Sequence, residues 1–346
     1  MSTKISRRDV LRVGMAGVVG MGMGCAGQVE KGEGDRVAEE TLEFVRRCGR
    51  EDGGYGASPE VGYKGNSDTK ASDLAAVTYA AVLAKTMGWK LDGVEKSIEF
   101  VKRHQREDGV FVNMAGSFDP KSDLAVLYNT TQGVVALRAM GQRPRVDPAR
   151  VMDRFFVGEV YKKLPWYTTS FFPLFYAALG REFPKAYDQR LREWQISSQA
   201  EDGYLGDHVA STFHMAHYFR LVGEQTPRGQ KMVKRIVESQ KADGGFDIKE
   251  PDWDVHACFD AVFVLKQLGE GEAVRSAIEK AGDWAMRCRN ADGGFGHYRG
   301  RASDMDAVYF QFGTLVMAGR VKGARLDLAD GHTLSWGHAM KVGRVY

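Results

Sequence analysis

Three residue types that bind metals or move protons occur near the carboxyl-terminal end of this chain. His256 and Cys258 are two residues apart, and Asp306 lies further along. His256 stands as far before Gly269 as Asp306 stands before Gly319, so the two occupy equivalent positions of a repeated pattern. Histidine, cysteine and aspartate together can hold zinc and leave one coordination position open. We therefore predict a zinc site formed by His256, Cys258 and Asp306, against the simpler alternative of a hydrogen-bonded histidine and a small buried cysteine.

The elements that position these residues belong to a repeated unit. Its first marker is an Asp-Gly pair in a short loop, found at Asp52-Gly53, Asp108-Gly109, Asp202-Gly203, Asp243-Gly244 and Asp292-Gly293. Its second marker is a glycine that ends an apolar helical stretch, found at Gly88, Gly141, Gly180, Gly223, Gly269 and Gly319. The loops at Asp108 and Asp202 lie about twice as far apart as the others, so one repeat between them, the third, lacks the first marker. Numbered after their repeats, the loops at Asp243 and Asp292 are the fifth and the sixth. Both markers therefore predict six repeats of two helices each.

Within a repeat, an amphipathic helix precedes the Asp-Gly turn and a more apolar helix follows it. One such first helix places Val94, Ile98 and Val101 on a single stripe, whereas residues 74–87 of a second helix are apolar around most of the circumference. The second helix therefore belongs inside. In the turn, aspartate accepts backbone hydrogen bonds and glycine adopts positive φ, so we interpret the loops as architectural. Strand signals are scarce, and we predict an all-α fold.

Periodicity alone leaves open whether six helical hairpins form an open solenoid or a closed ring. The lettering Gln-x-x-Asp-Gly-x-aromatic, as in residues 105–111 and 240–246, resembles the repeats of protein prenyltransferase β-subunits and of squalene and hopene cyclases. The resemblance extends over roughly residues 37–319. It implies that the six hairpins close into an α/α toroid, an α6-α6 barrel, around an apolar central cavity.

The same resemblance bears on the predicted zinc site. Protein prenyltransferases hold a catalytic zinc with an Asp-x-Cys pair at the start of one inner helix and a histidine at the start of another. The stretch around His256 resembles the histidine-bearing repeat, and the stretch from Asp306 to Tyr309 resembles the Asp-x-Cys-Tyr repeat. Val308 stands where the family has its ligand cysteine, and the two repeats come in the opposite order. A zinc site formed by His256, Cys258 and Asp306 would therefore contain the family's three ligand types in a different arrangement. The resemblance implies catalytic roles for Asp306 and Tyr309.

A second arrangement needs no metal. In it, His256, Arg301 and Tyr309 resemble the histidine, arginine and tyrosine with which the family binds diphosphate. The apolar part of a ligand would then lie against aromatic residues of the inner helices, which are Tyr79, Tyr128, Trp166, Phe171, Phe213, Phe259, Phe263, Tyr309 and Phe310. We assign Phe259, Tyr128 and Tyr309 to ligand binding, because aromatic faces suit an isoprenoid chain or a carbocation, although aromatic residues on buried helices are also ordinary core filling.

These observations favour a prenyltransferase-like toroid that binds an isoprenoid or another apolar ligand in a central cavity. If the protein is an enzyme, they favour a transferase with a zinc site. A terpenoid cyclase is an alternative, although cyclases of this family use Asp-x-Asp-Asp as proton donor and residues 304–307 end in alanine. A non-catalytic toroid that binds a lipid, a peptide or a glycan is another. The sequence does not identify an α-subunit partner. A net charge of +3, with no basic run beyond the amino terminus, argues against nucleic acid.

The amino terminus has the pattern of an export signal. Arg7 and Arg8 precede the uncharged residues 13–24, which resembles a twin-arginine signal. Cys25 stands where a bacterial lipoprotein would be cleaved, so a lipid anchor at Cys25 and simple cleavage are both open. We expect a periplasmic or membrane-anchored protein, divided into a signal segment 1–25, a polar linker 26–36, the toroid 37–320 and a carboxyl-terminal extension 321–346.

A reporter protein fused behind residues 1–35 tests the export signal. We expect the reporter to leave the cytoplasm only when both Arg7 and Arg8 are present, because paired arginines are what this transport route reads. The variant with Arg7→Lys and Arg8→Lys keeps the charge and removes the arginines. Cell fractionation measures the exported share, and wild-type export of that variant would contradict the prediction.

Overall fold

The protein is helical throughout the part of the chain that a computed structural model describes, residues 32–60, 62–63, 68–117, 119–247 and 256–324. In chain order its α-helices are α1 (Glu33–Arg47), α2 (Asp68–Ala71), α3 (Ala75–Met87), α4 (Val94–Arg103), α5 (Asp123–Ala139), α6 (Asp153–Phe156), α7 (Phe171–Ala178), α8 (Lys185–Ser198), α9 (Val209–Leu221), α10 (Gly229–Ser239), α11 (Ala257–Leu268), α12 (Glu272–Arg287) and α13 (Met305–Met317). Short 3-10 helices cover Ala149–Val151, Val157–Lys163 and Trp166–Thr168. Those described residues contain isolated β-bridges and no strand, which confirms the all-α prediction.

Six of these helices form an inner ring. Helices α3, α5, α7, α9, α11 and α13 contact one another in that order, and α13 also contacts α3, so the ring closes. The inner helices are buried around most of their circumference, as α5 is between Ala125 and Ala139. The outer helices α1, α4, α8, α10 and α12 bury only one stripe each, as α4 does with Ser97, Phe100 and Val101. The predicted α/α toroid is confirmed.

The Asp-Gly loops lie within a repeat and pack against the next repeat. In the first loop, Oδ1 of Asp52 accepts a hydrogen bond from the N–H of Gly54 at 3.0 Å, and Gly53 has a φ of +88°. A Cβ atom on Gly53 would lie 2.2 Å from the carbonyl oxygen of Lys96 on α4, the next outer helix. The fifth loop approaches α12 in the same way. The position needs both the positive φ and the missing side chain, so only glycine fits it.

The glutamine of the repeat lettering spans the same joint. Nε2 of Gln105 donates to the carbonyl oxygen of Gly109 in its own loop at 3.3 Å, and to that of Val146 in the next repeat at 2.6 Å. Gln240 makes the equivalent pair of bonds at the fifth joint. A primary amide has two N–H donors, and this arrangement satisfies both of them across the boundary between two repeats.

The sixth loop packs on α1, the first outer helix. Gly293 has a φ of +82°, and a Cβ atom there would lie 2.4 Å from the carbonyl oxygen of Glu40. The guanidinium of Arg47 donates to the carbonyl oxygen of Asp292, and the hydroxyl of Thr41 lies 3.4 Å from the carbonyl oxygen of Gly293. The last repeat therefore meets the first through the same kind of joint that links the others.

The third repeat departs from the regular pattern. Its outer helix is replaced by two 3-10 helices and the short α6, because Gly158 and Glu159 have φ angles of 64° and 55°. Two successive left-handed residues cannot continue a right-handed helix. Phe156 stacks on Tyr187 of α8 with ring centroids 3.9 Å apart, so aromatic packing joins this segment to the next repeat. This is the repeat that lacks the Asp-Gly marker in the sequence.

The glycines that end the inner helices follow the prediction with one exception. The left-handed conformation occurs at Gly88, Gly141, Gly180, Gly223 and Gly319. Gly269, after α11, has a φ of −94° and is extended, and the glycine with positive φ there is Gly271, with a φ of +92° and a ψ of 177°. The chain therefore turns two residues later after α11 than after the other inner helices.

At the amino terminus, α1 begins at Glu33, within the segment 26–36 assigned to a linker. Glu33 and Asp35 lie in its first turn, where carboxylates stabilise the positive end of the helix dipole. The predicted signal segment 1–25 lies outside the described residues. Among those that are described, no helix has the length and hydropathy to cross a bilayer.

Replacement of Gly293 by alanine tests the joint that closes the ring. We expect Gly293→Ala to lower the free energy of unfolding by roughly 3 kcal/mol or more, because alanine is strained at this φ and its Cβ collides with the backbone of α1. Gly300→Ala is the matched control: its φ is +79°, and nothing lies within 4 Å of the Cβ position. The control should lose only about 1 kcal/mol. Urea unfolding measures both, and equal losses would count against the steric joint.

Candidate functional site

The inner ring encloses a cavity of about 400 Å³. Its wall is largely aromatic, with rings contributed by Tyr79, Tyr128, Trp166, Phe171, Phe213, Phe259, Tyr309 and Phe310. The residues assigned from the sequence to ligand binding, Tyr128, Phe259 and Tyr309, all line it. Phe263 does not line the cavity and instead packs against Phe213 with ring centroids 4.6 Å apart.

Contacts between the rings hold this wall in place. Tyr309 stacks on Tyr79 with centroids 4.4 Å apart and an interplanar angle of 18°. Phe310 lies 3.7 Å from the imidazole centroid of His256 and meets Phe259 edge to face at 5.1 Å. Rings fixed in this way present their faces and edges at set positions, which suits an apolar chain or a cation.

Charged side chains are absent from the described residues that line the cavity. His256 and Tyr309 reach the cavity, as the diphosphate arrangement requires, but Arg301 is exposed and does not line it. Arg301 lies in the loop before α13 and not on an inner helix, so the structure does not bring it together with the other two residues. A diphosphate in an apolar cavity needs cationic partners, so this wall suits an uncharged ligand.

A polar cluster lies where α11 and α13 begin. His256 immediately precedes α11, and Asp304 caps α13 by accepting a hydrogen bond from the N–H of Ala307 at 2.8 Å. Nε2 of His256 lies 3.4 Å from Oδ2 of Asp306. Nε2 of His297, in the sixth loop, lies 2.8 Å from Oδ2 of Asp304 and 3.7 Å from Oδ2 of Asp306. The predicted proximity of His256 and Asp306 is present in the structure.

The cluster favours an ionised carboxylate beside a protonated imidazole. Burial raises the pKa of Asp306, but His256, His297 and the hydroxyl of Tyr79 oppose it and leave the pKa below its ordinary value. Burial lowers the pKa of His297, but Asp304 and Asp306 oppose it and leave that pKa raised. Oδ1 of Asp306 is buried and has no hydrogen-bond partner among the described residues. That oxygen can therefore accept a bond from a further donor or a metal.

The cluster also contains a set of potential metal ligands that differs from the predicted one. Three potential ligand atoms, one from each of His297, Asp304 and Asp306, lie within 4.8 Å of one another. This is the only such group of three in the described part of the chain. Asp306 belongs to both sets. His297 and Asp304 take the places that the sequence assigned to His256 and Cys258.

Cys258 does not join the cluster. Its thiol is fully buried, interacts with the backbone of Phe246 and lies within electrostatic range of Cys288, toward the outer layer. Residues two apart in a helix point about 200° apart, so His256 and Cys258 cannot face the same point once α11 has begun. Burial raises the pKa of the Cys258 thiol, which disfavours the thiolate that zinc would need. Cys48, Cys258 and Cys288 are all free and buried.

A second group of polar residues on the wall was not predicted from the sequence. Its members are Ser170, His208, His214 and His217. Ser170 Oγ lies 2.7 Å from Nδ1 of His214. Burial, reinforced by His256 and His208, lowers the pKa of His214 to about 3. The signal available in the sequence was three histidines within residues 208–217, a stretch that otherwise forms an apolar inner helix.

Comparison with protein families gives a match to the prenyltransferase alpha-alpha toroid domain over residues 22–148 and 166–342. These two ranges take up most of the chain. A comparison with curated proteins gives no match.

Several solved structures are similar to this fold. The type II terpene cyclase MstE from Scytonema, in its apo form, has a TM-score of 0.54 at 13% identity, over 82% of this chain and 96% of that chain. A variant of MstE in complex with its substrate geranylgeranyl dihydroxybenzoate gives 0.52 at 13% identity, over 82% and 95%. Candida albicans protein geranylgeranyltransferase-I complexed with GGPP gives 0.51 at 11% identity, over 72% and 85%. At these identities the similarity concerns the fold.

Proposed function

This chain belongs to the prenyltransferase alpha-alpha toroid family, and we propose that its central cavity binds an isoprenoid or a comparably apolar ligand without a diphosphate group. The wall of the cavity carries the proposal, because it is aromatic and has no lysine or arginine among its described residues. A ligand that leaves water for such a wall gains the free energy of apolar burial. The volume of about 400 Å³ is in the range of small-molecule pockets.

The similar structures support an isoprenoid as the ligand class. MstE is in complex with its substrate geranylgeranyl dihydroxybenzoate, and the Candida albicans enzyme is complexed with GGPP. The first compound joins the isoprenoid chain to an aromatic acid, and the second carries a diphosphate. Because Arg301 does not line the cavity, we favour a ligand that lacks the diphosphate.

Proton-initiated cyclisation has less support than binding or transfer. Such a reaction needs a carboxylic acid that is protonated near neutral pH. Burial raises the pKa of Asp306, but His256 and His297 leave it lowered, so this carboxyl group is ionised at neutral pH. A carboxylate next to two imidazoles can orient or accept a proton, and it is a poor donor of one.

Filling the cavity tests the proposed binding. Ala210 lines the cavity, and we expect Ala210→Phe to raise the Kd for geranylgeraniol by at least about tenfold, because the added ring occupies the ligand's space. Val157→Phe is the control. Val157 is 73% exposed, so this substitution introduces the same ring on the outside of the protein. Tryptophan fluorescence, to which Trp166 of the wall contributes, measures binding to the full-length protein.

Two outcomes would count against the proposal. Wild-type protein that binds neither geranylgeraniol nor geranylgeranyl diphosphate in a saturable way would contradict it. Equal affinity of the Ala210→Phe and Val157→Phe variants for geranylgeraniol would show that the ligand binds elsewhere. Tighter binding of the diphosphate than of the alcohol would overturn the part that excludes a charged head group.

As a second candidate function, we propose metal-dependent transfer at the polar cluster, with zinc held by His297, Asp304 and Asp306. Imidazole nitrogen and carboxylate oxygen are zinc ligands, and the buried Oδ1 of Asp306 that lacks a described partner fits a cation better than it fits an apolar neighbour. A zinc ion bound there would act as a Lewis acid next to His256, which lines the cavity. His256 would then orient Asp306 from the other side.

Zinc binding to the chelator-treated protein tests this second function. We expect His297→Gln to weaken zinc affinity by more than about 100-fold, as judged by calorimetry and metal analysis, because a direct ligand is lost. His104→Gln is the matched control: Nε2 of His104 also lies 2.9 Å from a carboxylate, that of Asp73, but among the described residues no second acid completes a set. Cys258→Ala should retain zinc. Equal zinc affinity in both histidine variants would refute the ligand set.

We also propose that the toroid acts outside the cytoplasm. The basis is the sequence alone: Arg7, Arg8 and the uncharged residues 13–24 resemble a twin-arginine signal. Cargo of that route crosses the membrane already folded. A closed ring that needs its last repeat to complete its first is compatible with such a route.

A further inference from the structure

The pairing of Ser170 with His214 fixes which imidazole nitrogen carries the proton. Ser170 precedes α7, is fully buried, and places its hydroxyl 2.7 Å from Nδ1 of His214. That hydroxyl has no other hydrogen bond to a described residue. A buried O–H that donates to nothing costs free energy, so Ser170 donates its proton to Nδ1. Nδ1 of His214 is therefore unprotonated, and the ring proton sits on Nε2.

With Nδ1 paired to Ser170, Nε2 is the nitrogen of His214 that is left for a ligand. His214 lines the cavity, and its Nε2 makes no hydrogen bond to a described residue. Phe171 meets the imidazole edge to face at 5.3 Å and Phe213 lies 4.7 Å away, so the ring is held between aromatic neighbours. Burial, together with His256 and His208, lowers the pKa of His214 to about 3. The imidazole therefore stays neutral, with one N–H available on an apolar wall.

We propose that Nε2–H of His214 donates a hydrogen bond to an uncharged oxygen of the ligand, so that the cavity selects an oxygenated isoprenoid, an alcohol or a carbonyl compound, over a plain hydrocarbon. This rests on the proposed apolar ligand and names the group that distinguishes it. A neutral N–H donor stabilises a bound ligand that carries an acceptor oxygen. In a cavity without described cationic side chains, it does not offset the free energy that burying a full negative charge costs. Discrimination by one buried hydrogen bond is worth about tenfold in affinity.

A pair of matched ligands tests the inference on the full-length protein. One is geranylgeraniol, and the other is the corresponding hydrocarbon in which hydrogen replaces the hydroxyl group. We expect the wild type to bind the alcohol about tenfold more tightly, and His214→Phe to lose this preference by weakening the alcohol alone. Ser170→Ala should lose part of the preference, because Nδ1 is then free to carry the proton. Thr169→Ala, which removes a neighbouring hydroxyl that does not line the cavity, should keep it.

The outcomes separate this inference from the proposed function. If neither ligand binds the wild type, the proposed function fails. If both bind and His214→Phe keeps the preference for the alcohol, the role of His214 is refuted while apolar binding stands. Nitrogen-15 NMR of histidine-labelled wild type gives a readout that needs no variant: the expected signal is that of the tautomer protonated at Nε2, and the tautomer protonated at Nδ1 would overturn the inference.

Discussion

The toroid depends on close backbone contact at the Asp-Gly loops. At Gly53, Gly203, Gly244 and Gly293, a glycine with positive φ lies so near the next outer helix that a Cβ atom would collide with it. The loop aspartate accepts a backbone N–H within its own loop, and a nearby glutamine donates to a carbonyl oxygen of the next repeat, which holds the two repeats in register. Because the sixth loop contacts α1, these local contacts close the ring. The cavity is enclosed only because the ring is closed.

The direction of the inner helices decides where polar chemistry collects. Helices α11 and α13 begin at the same end of the cavity, and the residues at their amino termini are those that can satisfy free N–H groups and favour negative charge. Asp304 serves two purposes there, since one oxygen caps α13 and the other meets His297. The rest of the wall is largely aromatic, with a second polar group formed by Ser170, His208, His214 and His217. The cavity therefore combines a largely apolar wall with polar side chains at two places.

The sequence predicted what depends on local turn chemistry. The Asp-Gly and glycine markers specify conformations that few other residues adopt, so they revealed the repeats and the all-α fold. Equivalence between repeats also placed His256 beside Asp306, because equivalent positions on neighbouring inner helices face each other. The structure places Cys258 away from these two residues, because rotation along α11 turns its side chain to another side, and it places Arg301 in a loop that does not line the cavity. The partnership of Ser170 with His214 joins two different repeats, and no periodic signal encodes a contact of that kind.

Closure also limits how such a protein can change over evolutionary time. A linear repeat array can gain or lose a unit at either end, because its terminal repeats contact only one neighbour. Here the sixth loop contacts α1, so the chain has no terminal repeat in the structural sense. Removal of one repeat would separate the first and last repeats, which now contact each other. An added repeat would find no gap in the closed ring. Variation is therefore confined to the inside of a repeat, as in the third, where the outer helix is broken while the ring stays whole.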